Sequence, residues 1–516
     1  MNNMSLDEKI GQLILGQLKG NELNKEMKEF IMKYRLGGYR FSGENIENLP
    51  QVTKFISDVK RFCEENSIKE PIFGADQEGG TLSVFENLLS QFPSTMALGA
   101  TTDVKLAYDE GNVIGYELSN LGIDMAFAPV ADLNLQKNNP VIGVRSFGDN
   151  PEKVSKFCIK FAKGLNDGGV LNSAKHFPGH GNTTADSHIG LAENSFSEKE
   201  IRDIEIKPFI KLIENGIDTI MVSHVIYKNI EKNKIPASMS KIIITDILRN
   251  ELKYNGVIIS DDMEMGAILK KYPIEEAVVK FLLAGGDMAL VNGTKEAQIK
   301  AVEGIKEAVK LGIISEERIN QSVERILKLK SKAKKLKINK KSPRKKTEEV
   351  IKDISEKALT LYSDNKKLLP IKKNLKLLLL LPESINMTEA DTSGNKINKF
   401  GVYLKEKIKN VDIITYKLNE NLLGDSDILK KIEKSDILIQ GILNGMRFKN
   451  QIEFINNISS KIDTIAITLR DPYELKLFSK DITAIAAYSQ DDITMKSLAK
   501  AITEKFEFNF ILPVKI

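Results

Sequence analysis

The stretch Lys175–Gly190, KHFPGHGNTTADSHIG, holds three of the chain's four histidines, His176, His180 and His188; the fourth is His224. Asp186 and His188 form an Asp-Ser-His run in a segment rich in turn formers. A carboxylate two residues from an imidazole can reach one ring nitrogen, fix the tautomer and raise the pKa. The other nitrogen then gives or takes a proton near neutrality. The same run also suits a loop histidine in a polar network. His176 and His180 stand four apart, a spacing that binds zinc when it lies on a helix. Phe177, Pro178 and Gly179 lie between them, and proline and glycine disfavour a helix interior. No glutamate follows the first histidine, so no metal is expected. A nucleophile candidate is Asp261, at the end of the apolar run VIISDD with Asp262 beside it. Neighbouring side chains of an extended segment point to opposite sides, so one of the two is expected to face a site and the other to serve as a support or cap. A carboxylate placed across a sugar from a proton donor can form a glycosyl ester and give retention of configuration.

These residues need elements to hold them. Eight short apolar runs recur through the first two-thirds of the chain: 13–18, 37–42, 71–76, 125–132, 170–177, 219–225, 257–262 and 288–293. They do not alternate with polar residues, and amphipathic helical patterns separate them. That is the signature of parallel strands buried on both faces. Eight such units predict an α/β fold, a (β/α)8 TIM-like barrel over 1–335, with an open doubly wound sheet as the alternative. Asp76, Asp132, Lys175, His176, His224, Asp261 and Asp262 sit at run ends, which in a barrel converge on the rim where active sites form. Further runs at 375–383, 411–418, 436–443, 464–471 and 484–490 predict a second, smaller α/β sandwich over 351–516, after a basic linker at 336–350.

Composition sets outer bounds. The chain has 516 residues, 28% of them charged, and a formal charge of +5. Eleven Lys and Arg between Lys328 and Lys346 account for the excess, and without them the rest is net acidic. That run reads as a solvated helix end and linker, and no nucleic-acid partner is expected. Cys63 and Cys158 do not make a disulfide framework. The first residues lack a signal-peptide pattern, and the five leucines at 377–381 are too few to span a bilayer. A cytoplasmic protein with no membrane partner is expected; the oligomeric state is left open.

With DQEGG (76–80), NPVIGVRSFG (139–148) and SDDMEMGAI (260–268), the histidine-rich stretch resembles glycoside hydrolase family 3, above all the β-N-acetylglucosaminidases of bacterial cell-wall recycling. The resemblance runs through about residues 5–335. It implies Asp261 as nucleophile, His188 as acid/base and Asp186 as its dyad partner. It also implies Asp76, Arg145, Lys175 and His176 as sugar-binding residues. The Asp-Ser-His loop points to N-acetylglucosaminides and implies that the C-terminal domain need not supply catalysis. Many relatives place arginines where this chain has Thr81 and Val84; Arg40 is a candidate to compensate. The resemblance implies a retaining exo-β-N-acetylglucosaminidase acting on small muropeptides or related saccharides, with no metal or organic cofactor. Two other readings stand beside it: a phosphorylase with phosphate as acceptor, and a catalytically degenerate GlcNAc-binding protein.

Overall fold

The structure, a computed structural model, describes residues 4–184, 190, 192–386, 391–392 and 398–516. The eight apolar runs form strands β1 (Ile14–Gly16), β2 (Gly38–Phe41), β3 (Ile72–Ala75), β4 (Met125–Ala126), β5 (Leu171–Phe177), β6 (Thr219–Val222), β7 (Val257–Asp262) and β8 (Met288–Leu290). They close into a barrel in the order β1-β8-β7-β6-β5-β4-β3-β2. β1 pairs in parallel with both β8 and β2, so the expected barrel forms and the open sheet does not. Helices cover the outer face and side chains fill the interior, which is why the runs carry no polar alternation. The ladder is irregular near the ends of β5 and β7, between Ala174 and Phe177 and between Ile259 and Asp262. Both irregularities fall at the rim where Lys175, His176, Asp261 and Asp262 emerge.

The opposite end is sealed by the helix Glu316–Ile338. Its Ile326, Leu329 and Ala333 pack with Leu15, Phe127, Met221 and Ile259 of the strands. Asp124, Asp218 and Asp287 each precede a strand, and each is buried. The helix supplies their counter-charges: Arg325 to Asp287 at 3.1 Å, Lys332 to Asp218, and Lys337 to Asp124 at 2.6 Å. Arg325 and Lys332 are seven residues apart, two helical turns, and so share a face. Lys334 pairs with Glu70, Lys341 with Asp167 and Arg344 with Asp109. The basic run read as solvated is therefore engaged by barrel acids along much of its length. The segment 336–350 spans the end of this helix and the start of the next, Thr347–Ala358, whose Val350, Ile351 and Ile354 join the barrel's core.

A separate six-stranded sheet follows: β9 (Thr360–Ser363), β10 (Leu377–Pro382), β11 (Val411–Tyr416), β12 (Ile437–Ile442), β13 (Asp463–Thr468) and β14 (Thr483–Ala486), in the order β9-β14-β13-β12-β10-β11. The five leucines of β10 alternate: Leu377, Leu379 and Leu381 enter the core on one face, Leu378 and Leu380 the core on the other. β9, an antiparallel edge strand, is absent from the sequence reading because TLYS has no apolar run to mark it. The sheet's unit meets the barrel through a shared apolar cluster in which Met96 and Val144 pack with Tyr473, Tyr488 and Val514. No helix among the described residues is long and apolar enough to cross a membrane.

The helices Val104–Leu121 and Pro151–Gly168 touch backbone to backbone through Gly111, Gly115, Gly164 and Gly168. A Cβ on Gly164 would lie 2.3 Å from the Tyr108 carbonyl oxygen. Helix propensity alone favours Gly164→Ala by about 0.5–1 kcal/mol. The crowding reverses the sign, and we expect a net loss of roughly 1–3 kcal/mol, measured as a lower urea midpoint.

Candidate active site

Of the polar run ends, Asp76, Lys175, His176, Asp261 and Asp262 line one cavity, while Asp132 and His224 stand behind it, bonded to His176 and to the Asp262 carbonyl. A cavity of about 360 Å³ is lined by Arg40 after β2's start, Asp76 after β3, Lys175 and His176 of β5, Met221 of β6, Asp261 and Asp262 of β7, and Asn292 after β8. Arg145, from the loop after β4, completes the wall. Asp76, Arg145, Lys175, His176 and Asp261 are thus brought to one cavity. Asp186 and His188 lie outside the described residues.

A buried charge network organises the wall. Lys175 Nζ donates to Asp76 Oδ1 at 2.7 Å and lies 2.6 Å from Glu78 Oε1. Arg145 grips Glu78 with two parallel bonds, Nε to Oε2 at 2.9 Å and Nη2 to Oε1 at 2.7 Å. Such forked pairing fixes the guanidinium in plane and direction. Arg40 Nε donates to the other oxygen of Asp76 at 2.8 Å. Burial alone would raise both carboxyls. Lys175 and Arg40 outweigh it at Asp76, and Arg145 and Lys175 at Glu78, so both lie below the usual carboxylate range. Three cations thus face two carboxylates, and Arg40 is also within electrostatic reach of Asp262 and Asp261.

Asp132, fully buried, anchors the histidine-rich stretch. It accepts the His176 backbone N–H at 3.1 Å, the His180 N–H at 2.7 Å and, at 2.6 Å, a bond from His176 Nδ1. Burial opposes its charge, but His176 holds its pKa down. With Asp132 ionised, His176 carries a proton on Nδ1 and turns its other ring nitrogen away from the anchor. His180 Nδ1 meets Thr183 Oγ1 at 3.0 Å, and burial, reinforced by His176, pushes the His180 pKa down to about 4. Each of the two histidines spaced for zinc therefore has its Nδ1 engaged by a protein partner.

At β7, Asp261 and Asp262 both line the cavity. Strict alternation predicted one; the irregular register at the strand end allows two. The Asp262 amide donates to Asp261 Oδ1 at 2.9 Å, and Asp262 Oδ1 accepts from the Glu264 amide at 3.0 Å. His224 Nε2 is 2.8 Å from the Asp262 carbonyl, and its Nδ1 is 2.8 Å from Ser238 Oγ. A carbonyl can only accept, so Nε2 carries a proton, and in the neutral ring Nδ1 accepts from the serine. His224 therefore holds the backbone of the aspartate pair. Burial pushes the Asp262 pKa up to about 7.

Two residues that organise the site were not assigned roles from sequence. Glu78 stands inside the DQEGG run, but an acidic residue followed by two glycines reads as a turn. Asp132 was visible only as one of several polar run ends. Arg40, raised as a possible compensating cation, is paired with Asp76. Val84 lines the cavity, and the Thr81 carbonyl is bound by the Thr392 amide at 2.8 Å.

Comparison with known proteins agrees with this architecture. Residues 5–329 match the family described as glycosyl hydrolase family 3 N terminal domain. Residues 375–502 match the beta-N-acetylglucosaminidase C-terminal domain. A beta-hexosaminidase A of Pseudoalteromonas piscicida is 33% identical over 332 residues, 60% of this chain and 56% of that protein. The chain thus spans just over half the length of that relative. A beta-hexosaminidase of Idiomarina loihiensis is 33% identical over 57% of this chain and 87% of that protein. Among solved structures, a family 3 beta-N-acetylglucosaminidase from Paenibacillus sp. str. FPU-7 superposes with a TM-score of 0.92 at 31% identity, covering 99% of both chains.

Glu78→Gln tests the network. Removing one partner of a buried ion pair costs about 3–5 kcal/mol. Glu78 is depressed from its ordinary 4.5, so its stabilising contribution is complete above that value and fades as pH falls through the folded pKa. The stability gap between wild type and Glu78→Gln, from denaturant melts, is expected to be widest above about pH 5 and to narrow toward pH 3.

Proposed function

The chain belongs to glycosyl hydrolase family 3, and on that premise we propose that it is a retaining exo-β-N-acetylglucosaminidase. It removes terminal non-reducing GlcNAc from muropeptides or related saccharides by double displacement. The observation that carries this reading is the cavity in which Asp261 shares a wall with the Asp76–Glu78–Lys175–Arg145 network. A sugar presents several hydroxyls, each a donor and an acceptor. Fixed carboxylates and cations at one small cavity suit that pattern and hold the ring in one pose.

In the proposed reaction Asp261 attacks the anomeric carbon and forms a glycosyl ester. His188, oriented by Asp186, gives its proton to the leaving oxygen. In the second step His188 takes a proton from water, which attacks the same carbon and releases Asp261. Two inversions give net retention. Arg145, Lys175, Asp76 and His176 bind the sugar. Glu78 and Asp132 hold those groups in place, and neither needs to touch substrate. Support for a GlcNAc substrate comes from the similar relatives, named beta-hexosaminidases, and from the Asp-Ser-His run. The two cysteines are buried free thiols, which suits action in a reducing cytoplasm.

Nitrophenol release from the β-N-acetylglucosaminide and the β-glucoside tests the reading. The N-acetyl sugar is expected to be turned over much faster, and Asp261→Asn to lower kcat by roughly three orders of magnitude or more. Equal rates on the two sugars would refute the substrate assignment. Turnover that requires added phosphate, with a sugar phosphate as product, would replace hydrolysis with phosphorolysis. Tight GlcNAc binding without turnover would leave a binding protein.

A further inference from the structure

The wall of the cavity is not built by the barrel alone. Thr392, which belongs to the unit containing β9–β14, lines it together with Leu82 and Val84. Thr392 reaches that position by joining the edge of a small hairpin, Gln77–Gly79 with Leu82–Ser83, that follows β3. Its amide donates to the Thr81 carbonyl at 2.8 Å, its hydroxyl donates to the same oxygen at 3.2 Å, and the Ser83 amide donates to the Thr392 hydroxyl at 3.2 Å. Ser83 Oγ in turn accepts from Gln77 Nε2 at 2.5 Å, and Gln77 stands between the two carboxylates of the network, Asp76 and Glu78.

Behind Thr392 is a lock. Asp391 is buried and bonded to Arg470, which follows β13 and has a side chain only 12% exposed. The next residue, Asp471, half-buried, abuts Gly143, where a Cβ would lie 3.3 Å from its Oδ1. Gly143 has φ +42° and sits two residues before Arg145. Farther along the same loop Gly148 abuts the Pro513 carbonyl, and the Asp149 amide donates to it at 3.2 Å. The C-terminal unit therefore grips both segments that carry the Glu78–Arg145 pair, and among the described residues it extends Thr392 to the cavity wall.

We propose that Thr392 is a sugar-binding residue supplied by the C-terminal unit, held at the cavity wall by the Arg470–Asp391 pair. The proposal rests on the reading of this cavity as a GlcNAc site. A hydroxyl that donates once and accepts once keeps a second lone pair. At the cavity wall that lone pair accepts from a sugar hydroxyl. The backbone bonds to Thr81 and Ser83 fix its direction, so the contact costs little ordering on binding. The C-terminal unit thereby becomes part of the substrate site, in addition to packing against the barrel.

The test uses the full chain and two readouts: calorimetric titration with N-acetylglucosamine, which needs no turnover, and KM and kcat on the nitrophenyl β-N-acetylglucosaminide. Thr392→Val keeps the shape and the amide bond to the Thr81 carbonyl, and removes the hydroxyl together with its bonds to Thr81 and Ser83. It is expected to weaken GlcNAc binding and raise KM by about three- to tenfold, the effect of one uncharged hydrogen bond. kcat is expected to change less than KM, and the melting temperature to fall, because the Ser83 amide loses its acceptor. Thr392→Ser, which restores the hydroxyl, is expected to return both constants to within about twofold of wild type. Arg470→Met, which unlocks Asp391, should weaken binding at least as much as Thr392→Val. Unchanged affinity and KM in Thr392→Val, or failure of Thr392→Ser to restore them, overturns the proposal while leaving the GlcNAc site intact. Absence of GlcNAc binding by wild type overturns the site reading and this proposal with it.

Discussion

Glu78 is the interaction on which the rim depends. Its carboxylate is sealed from solvent and is shared between a lysine on β5 and an arginine on the loop after β4. Without it Arg145 would lose its forked carboxylate and Lys175 one of its two, and the desolvation of an uncompensated buried charge exceeds what packing returns. With Glu78 in place both become fixed donors at the edge of a cavity. Asp76 extends the set to Arg40 on β2. One short segment after β3 therefore ties together side chains from β2, β5 and the loop after β4, and the cavity's shape follows from that tie.

The barrel divides its charges by end. At the sealed end, buried aspartates ahead of β4, β6 and β8 are met by cations of the Glu316–Ile338 helix and by Lys60 and Arg249. Those pairs join strand entries to a covering helix, whose apolar residues pack with those of the strands. At the open end the pairs surround a cavity with polar groups turned inward. The same chemistry, carboxylate against guanidinium or ammonium, serves assembly at one end and recognition at the other. What differs is whether a helix or an opening lies above the charges.

The second unit belongs in the account of the site because some of its contacts fall on the loop that carries Arg145. Tyr473 and Tyr488 pack with Val144, immediately before Arg145, while Asp471 and Pro513 abut glycines of the same loop. Two glycines in NPVIGVRSFG allow this approach: at Gly143 the carboxylate of Asp471 takes the space, and at Gly148, with φ +148°, the backbone of Pro513 does. The loop that presents Arg145 is thus clasped between its own barrel and the neighbouring sheet.

Much of this was legible from residue order. Eight apolar runs without alternation identify a parallel sheet buried on both faces, and their polar ends identify one rim, because strand direction is common to all of them. The family likeness rested on local strings such as KHFPGHG, DQEGG and SDDMEMGAI, which carry chemistry at short range. Tertiary structure alone decided the rest. Glu78 acquires its role from Lys175 and Arg145, residues 97 and 67 positions away, and nothing in its neighbours announces that pairing. Asp262 enters the cavity beside Asp261 because the ladder slips at the end of β7, which a period-two reading cannot foresee. Thr392 reaches a barrel cavity from another sheet, across more than 300 residues of chain. Sequence determines what is local, the period of burial and the spacing of reactive groups. Charge partners and cavity walls are set by which distant segments the closed barrel and its neighbour press together.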